Sequence, residues 1–404
     1  MPAGPAEPPA FVIIRAEMTL RLSVFLLALA ASAKDPIFLI HQIGTDRSEG
    51  VAVFDVDRDG LVDVTSGAYW YKAPDWTRTE FREARPFGEF IANSGEHAID
   101  VNGDGYPDII SGGWGEDGLY YFENPKKLGV MWTKVRIAET RNLEGTIAVD
   151  VDGDGGLDIL PSHWGNVPLW WIKVKKGGFE IRPVGQIGSG HGVGFGDLDG
   201  DGKPDIITVR GWYRQVDATR DQWEFRPEFD IKESGIRICA YDLTGDGLMD
   251  LIYSRGHGYG LFWMEQKKDA AGKRTWIEHP IDLSASQLHT LEMVDLTGDG
   301  KPELLVGKRY RGHDEKDPGS FDPLNIDYYT IEPGKQPKLT RHPIAYNSLA
   351  GAGMQFRVAD LDGDGDVDIV MGGKTGQFWF ENLTVNKVPW QKRDVLFKRY
   401  PPRL

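Results

Sequence analysis

Short apolar runs alternate with acidic, glycine-containing loops along nearly the whole chain. Residues 51–54 (VAVF), 147–149 (IAV) and 291–294 (LEMV) lead into such loops. Residues 109–110 (II), 206–208 (IIT) and 304–306 (LLV) follow them. Runs this short and this rich in β-branched residues predict buried strands rather than helices. A third run is aromatic, at 119–124 (LYYFEN), 169–172 (LWWI), 261–265 (LFWME) and 377–382 (QFWFEN). A fourth is amphipathic, at 132–137 (WTKVRI), 276–281 (WIEHPI) and 339–344 (LTRHPI). Four strands in roughly 50 residues, seven times over, predict an all-β fold: a seven-bladed β-propeller of four-stranded antiparallel blades. Most Trp and Tyr side chains then read as packing between blades. Residues 38–43 (FLIHQI) and 390–395 (WQKRDV) both resemble a fourth strand, and either completes the last blade.

The loops share the pattern D-x-[DNT]-x-D-G-x-x-[DE]. The first four copies are Asp55, Asp57, Asp59, Asp63; Asp100, Asn102, Asp104, Asp108; Asp150, Asp152, Asp154, Asp158; and Asp197, Asp199, Asp201, Asp205. The last three are Asp242, Thr244, Asp246, Asp250; Asp295, Thr297, Asp299, Glu303; and Asp360, Asp362, Asp364, Asp368. Their starts lie 45, 50, 47, 45, 53 and 65 residues apart. Calcium is a hard cation that takes about six to eight oxygens, and carboxylates at alternating positions of a tight loop can face one ion. An EF-hand would need flanking helices and a Glu at the twelfth position; here the flanks are strands and the ninth residue is acidic. The sequence therefore predicts one calcium loop per blade, up to seven ions, strongest in loops one, three, four and seven and weakest in the Thr-containing loops. The plainer alternative is an Asp-Gly hairpin turn with solvated carboxylates.

Charge sharpens that choice. Acids outnumber bases 61 to 46, and twenty-five of the acids stand in the loops. Seven divalent ions would bring the net charge of −15 to about −1. The same negative field argues against nucleic acid as a partner. The single cysteine, Cys239, excludes an intrachain disulfide and a cysteine zinc cluster. Apolar residues make up 40% of the chain, enough for a core.

The N-terminus reads as an address. Arg21, the apolar run 22–30 and Ala31-Ser32-Ala33 have the build of a secretory signal over 18–33, with 1–17 as an over-called start. A buried N-terminal helix is the alternative. The mature domain, 34–404, is then secreted or periplasmic, with no membrane insertion after signal cleavage.

Histidines sort by their phase in the repeat. His41, His279 and His342 fall on the outer strand. His97, His191 and His289 fall at the inner strand, and His163, His257 and His313 follow the second strand. The last six are predicted to share the propeller face opposite the loops. Six residues before each first loop Asp stand Glu49, Ser94, Glu144, His191, Ile236, His289 and Met354, at the start of the channel-lining strands. Around them lie Trp70, Trp114, His163, Trp164, Arg210, Trp212, Arg255, His257, Lys308, Arg309, Arg311, His313 and Lys374. Carboxylates and imidazoles at the axis, ringed by cations and indoles, suit a sugar or another small polar ligand. Imidazole and carboxylate also suit an axial Zn2+ or other divalent metal.

The loops, their spacing and the aromatic third strand resemble FG-GAP/VCBS-type calcium-loop propellers over residues 36–396. Residues 288–295 (LHTLEMVD), 307–310 (GKRY), His313 and 317–319 (DPG) are similar to the propeller portion of aldos-2-ulose dehydratase-type enzymes. That resemblance implies elimination of water from a keto-sugar. The cupin-like domain associated with that family finds no segment here.

Two functions follow. One is a carbohydrate lyase or dehydratase at the channel mouth. His191, His289, Glu144 and Glu49 would serve as acid–base groups, and Lys308 and Arg309 would stabilise an enolate. The other is a non-catalytic propeller that binds glycan or protein on the same face.

Overall fold

A computed structural model of the chain describes residues 35–385, except Glu89 and the side chain of Asp314. The predicted signal segment 18–33 and the candidate closing strand 390–395 lie outside the described residues.

The repeat forms as its pattern predicts. Strands Ala52–Phe54, Asp63–Ser66, Tyr69–Lys72 and Thr77–Glu80 make one antiparallel sheet in chain order. Gly95–Ile99, Asp108–Gly112, Gly118–Glu123 and Thr133–Glu139 make the next. Leu143–Val149, Asp158–His163, Leu169–Lys175 and Gly178–Gly185 follow, and Leu288–Val294, Glu303–Lys308, Asn325–Glu332 and Lys338–Tyr346 repeat the order later. Each second strand is buried at every position, for example Asp108–Gly112 and Glu303–Lys308. A strand buried on both faces must be covered by neighbouring sheets on both sides, and radial packing of a propeller provides that cover.

The last sheet holds Phe356–Ala359, Asp368–Gly373 and Gly376–Asn382, and its outer strand is the N-terminal Phe38–Gly44. Phe38 pairs with Asn382 and Ile40 with Phe380. The chain's two ends thus share one sheet and close the ring.

The expected seven separate blades are not what forms. Five sheets of four strands stand alone, and the strands of repeats four and five run as one eight-stranded sheet. Val193–Gly196 pairs in parallel with Arg237–Tyr241, Val193 opposite Arg237 and Gly194 opposite Ile238. Glycine is the physical reason. A Cβ at Gly194 would lie 2.3 Å from the Ile238 carbonyl oxygen, so only glycine lets the two inner strands close to ladder distance.

One buried carboxylate ties each loop to its sheet. Asp158 Oδ2 accepts the Val151 N–H at 3.1 Å and its Oδ1 accepts the Val174 N–H at 3.1 Å. Asp63, Asp108, Asp205, Asp250 and Asp368 make the same pair of bonds to their own loop and third strand. Burial pushes these carboxyls up, to about 7 for Asp63 and Asp205, about 6 for Asp158 and Asp250, and about 8 for Asp368.

Amides on the third strand stitch neighbouring sheets together. Asn124 Nδ2 donates to the Val56 carbonyl of the preceding sheet at 3.1 Å. Gln215 does the same to Val151 at 2.7 Å, and Gln266 to Leu198 at 3.2 Å. Asn124→Ala strips the buried Val56 carbonyl of this donor and is expected to cost about 1–3 kcal/mol. Denaturant unfolding checks this; a change below about 0.5 kcal/mol, the range of neutral surface substitutions, would show that the stitch carries no stability.

Candidate functional site

Inner strands set the site's geometry. Glu144 and His289 begin or nearly begin the strands Leu143–Val149 and Leu288–Val294, which end at the acidic loops. Six residues of strand at about 3.3 Å each place the axial groups roughly 20 Å from the loops. Loops and axial residues therefore occupy opposite ends of the propeller.

A cleft of about 380 Å³ opens at the axial end. Glu49, Glu144, Trp114, Trp164, Arg309, His313 and Lys374 line it, together with Phe87 and Phe90. Seven of the residues named from the sequence thus meet in one cleft. Burial holds the Glu144 carboxyl up at about 7. Glu49 and Arg309 form a two-bonded ion pair, with Arg309 Nε to Oε1 at 2.7 Å and Nη2 to Oε2 at 2.8 Å. Burial works to raise the Glu49 carboxyl, but Arg309 outweighs it and the group is held low. A carboxylate so paired is a positioning element rather than a free base.

Behind the cleft stand three imidazoles. His191 Nε2 lies 3.1 Å from His257 Nε2 and 3.9 Å from Glu144 Oε2. The His289 ring centre is 5.1 Å from that of His191 and 4.7 Å from that of His257. Asp317 receives His257 Nδ1 at 2.9 Å on one oxygen and His313 Nδ1 at 2.9 Å on the other. His191 and His289 were expected at an open channel mouth, yet both are buried, His289 completely. Burial lowers the His191 ring to about 3.

Other residues named from the sequence lie elsewhere. Lys308 is buried, bonding Ser286 Oγ and the Gly319 carbonyl at 2.8 Å each, and burial lowers it to about 8. Trp70 and Trp212 pack in cores between sheets. His163 is buried 5.3 Å from the Trp170 ring. Arg210 reaches Asn166, and Arg255 lies over Phe262. His97 does not share the face expected of it. With Arg237, Arg357 and Glu292 it lines a separate cavity of about 350 Å³. Three residues short of its loop, it sits well down the channel strand. The outer-strand histidines do stay away from the axis, stacked on third-strand rings: His41 on Trp379, His279 on Trp263 and His342 on Tyr328.

Sequence reasoning missed four contributors. Asp317 stands four residues after His313 and entered the sequence reading only through the resemblance carried by 317–319, with no role of its own. Phe87 and Phe90 come from the small hairpin Pro86–Phe87 and Phe90–Ile91, an addition between repeats one and two. The Ser234 carbonyl, which receives His191 Nδ1 at 2.6 Å, is a backbone group with no sequence signal.

At the other end, each first loop Asp is wrapped by its own backbone. Asp150 accepts the N–H groups of Gly153, Asp154 and Gly155 at 2.8–3.1 Å. In loops one, three and four the first, third and ninth carboxylates converge within 4.8 Å: Asp55, Asp57 and Asp63; Asp150, Asp152 and Asp158; Asp197, Asp199 and Asp205. Residues 100–160 and 242–306, which include four of the loops, match the family described as FG-GAP-like repeat. The chain carries FG-GAP-like repeats.

No curated protein matches the sequence. Similar solved structures include an Agrocybe aegerita lectin described by its recognition of non-reducing terminal N-acetylglucosamine, at 15% identity and a TM-score of 0.42, covering 87% of this chain and 94% of that one. The V. cholerae biofilm matrix protein Bap1 matches at 12% identity and 0.40, over 84% of this chain and 78% of its own. The WD40 domain of Toxoplasma gondii coronin matches at 11% and 0.43, over 85% and 81%. At these values they carry no functional argument.

The third strand divides the loops into kinds. Lys72 Nζ bridges Asp57 and Asp59 at 2.5 and 2.7 Å, Lys173 bridges Asp152 and Asp154 at 2.5 and 2.6 Å, and Arg214 bridges Asp199 and Asp201 at 2.6 and 2.5 Å. The matching positions of repeats two, five and seven hold Glu123, Glu265 and Glu381. Loops one, three and four, ranked among the strongest by acid count, therefore carry a cation of their own. Lys173→Gln in chelator leaves two neighbouring carboxylates unscreened and is expected to lower stability by about 1–2 kcal/mol, discounted for partial exposure. Thermal melts of both proteins check it; coincident curves would show the bridge to be inert.

Proposed function

We propose that the chain is an exported, calcium-stabilised seven-bladed propeller that acts as a carbon–oxygen lyase, removing water from a keto-sugar or related sugar in the axial cleft. In this reading the eight-stranded sheet counts as two blades joined at the axis, and residues 18–33 direct export to the periplasm or beyond the cell. One observation carries the catalytic part. Glu144 lies at a cleft with indole and phenyl walls, and the His313–Asp317 pair lies on the same cleft.

The chemistry follows from those positions. Trp114 and Trp164 offer flat faces to the C–H side of a sugar ring. The Glu144 carboxylate takes the proton next to the carbonyl. Lys374 stabilises the negative charge that develops on the carbonyl oxygen. His313, oriented by Asp317, gives a proton to the departing hydroxyl, so that a C=C bond forms and water leaves. Glycan binding without turnover is the second reading, favoured by the half-exposed Trp164 on the wall.

Calcium fits the loops on a separate observation. Asp57 Oδ1 and Asp152 Oδ1 are buried without a hydrogen-bond partner, although each residue's other oxygen meets a lysine. Buried oxygens left over inside a carboxylate cluster suit a cation that takes many oxygen ligands. The first, third, fifth and ninth residues of each loop would hold it. Chelator should lower the melting temperature, since each site filled at 100 times its Kd adds about 2.7 kcal/mol. The ninth carboxyls Asp63, Asp158, Asp205, Asp250 and Asp368, held up near 6–8 by burial, are largely protonated at about pH 5.5 and ionised at about pH 9. Calcium uptake should therefore expel protons at the lower pH and none at the higher. Calorimetry in buffers of different ionisation heat reads this; melting that ignores calcium would remove the calcium reading.

Turnover is tested with a panel of keto-sugars, following the absorbance of the enone product. Glu144→Gln should reduce the rate by about 10²–10⁴-fold, whereas His279→Ala on the outer strand should leave it unchanged. Sugar binding without any product would favour the binding module.

A further inference from the structure

Halfway between the axial groups and the loops the channel has two unlike walls. Three residues before the first loop Asp, repeats six, seven and two place Glu292, Arg357 and His97. At the same position repeats three, four and five place Ile147, Gly194 and Cys239. Repeat one has Ala52 there, small enough for Arg357 to reach past it to His97. This level belongs to the cavity of about 350 Å³ that His97, Arg237, Glu292 and Arg357 line. Leu157, half exposed in the third loop, lies at its rim, so the cavity is reached from the loop end and not from the axial cleft.

Charge on the polar wall does not balance. Arg237 Nη1 lies 3.1 Å from Glu292 Oε2. Arg357 donates to the Phe356 carbonyl at 3.3 Å, to the Glu96 carbonyl and to His97 Nδ1 at 2.9 Å, and among the described residues no carboxylate forms an ion pair with it. His97 supplies no charge of its own. A guanidinium can only donate, so Nδ1 carries no hydrogen and the ring is neutral, with Nε2 donating to Thr146 Oγ1 at 2.7 Å. Burial and the charge of Arg357 hold the ring well below its ordinary value. Burial, with Arg237 nearby, also lowers Arg357 to about 10. Two guanidiniums thus share one carboxylate inside the protein, and one positive charge is left unmatched.

Charges inside a protein are ordinarily paired. Guanidinium groups favour planar oxyanions, which accept two parallel N–H bonds. A cavity of this volume falls in the range of about 300–1,000 Å³ typical of small organic ligands, and Ile147, Ala148 and Ile236 give its other wall an apolar face. We propose that this cavity binds a small organic carboxylate, with the carboxylate at Arg357 and Arg237 and the carbon chain on the apolar wall. The site is separate from the axial cleft and does not depend on the lyase reading.

Calorimetric titration tests it. The mature protein, with calcium in excess so that the acidic loops do not repel the ligand, is titrated at constant ionic strength with butanoate, gluconate and inorganic phosphate. At least one carboxylate is expected to bind at one equivalent, more tightly than phosphate. Arg357→Gln should weaken it by about 10–100-fold. Glu292→Gln removes the competing carboxylate and should tighten it by about fivefold or more. His279→Ala, on the outer strand, should leave it unchanged. Failure of both carboxylates to bind overturns the proposal, as does tighter binding of phosphate than of either. Equal affinity in wild type and folded Arg357→Gln would place the anion elsewhere and overturns it too. Should Arg357→Gln not fold, unchanged or weaker binding in Glu292→Gln overturns it instead.

Discussion

The ninth-position carboxylate is the constraint on which the rest of the structure depends. It is buried, it accepts one N–H from its own loop, and in six repeats it accepts another from the third strand. Those two bonds fix the loop against the sheet and so fix where the second strand begins. Register follows from that. Once Asp158 is pinned opposite Val149, Ile147 must face Leu160 and Gly145 must face Ser162. Because side chains alternate strictly along a strand, a slip of one residue would turn the apolar set of every repeat away from its neighbours. A buried carboxylate is costly when poorly satisfied, and its two N–H donors exist only in the correct register. The same group therefore stabilises the right pairing and penalises the wrong one.

Pinning seven strands at their loop ends also aligns them at their far ends. Residues six places before each loop come from repeats as much as 305 positions apart, from Glu49 to Met354, yet they gather around one axis. Glu49 and Arg309 meet across that ring as a bidentate pair, and His191 meets both Glu144 and His289. No local motif encodes such a group. It arises because one repeat length is counted off from one anchoring carboxylate. The sequence may vary freely at the axial position, which holds Glu, Ser, His, Ile and Met in different repeats, because the anchor lies at the other end of the strand.

This division explains what was legible in the amino-acid sequence. The repeat, its four strands and the axial set could all be counted from the loop Asp, since periodicity carries them. The closing strand could not be chosen that way, because 38–43 and 390–395 have equal pattern; the pairing of Phe38 with Asn382 comes from contact between the chain's ends. The fusion of repeats four and five was equally hidden, resting on how closely Gly194 lets Ile238 approach. Partners were hidden for the same reason. Arg309 looked like a free electrophile until Glu49 appeared beside it, and Lys308 until Ser286 and Gly319 did. Asp317, Phe87 and Phe90 belong to additions between repeats, where periodicity has nothing to count.

Those additions make the axial end chemically unlike the rest of the ring. The loop end is built from one repeated formula, and its variation is small: Asn or Thr for Asp at the third position, Glu for Asp at the ninth, and Lys, Arg or Glu at the facing third-strand position of six repeats. The axial end takes Asp317 from the insertion after one second strand and Phe87 and Phe90 from a hairpin after one fourth strand. Asp317 is the decisive case. A single carboxylate receives both His257 and His313, so it fixes a ring at the buried floor and another at the exposed rim. The rings themselves stack, with centres 4.1 Å apart. Floor and rim are thereby coupled through one side chain that lies outside the repeat. A symmetric ring supplies a rigid frame with equivalent positions, and function requires that the equivalence be broken. Here it is broken at the end of the strands opposite their anchors, where departures from the repeat leave the register of every sheet intact.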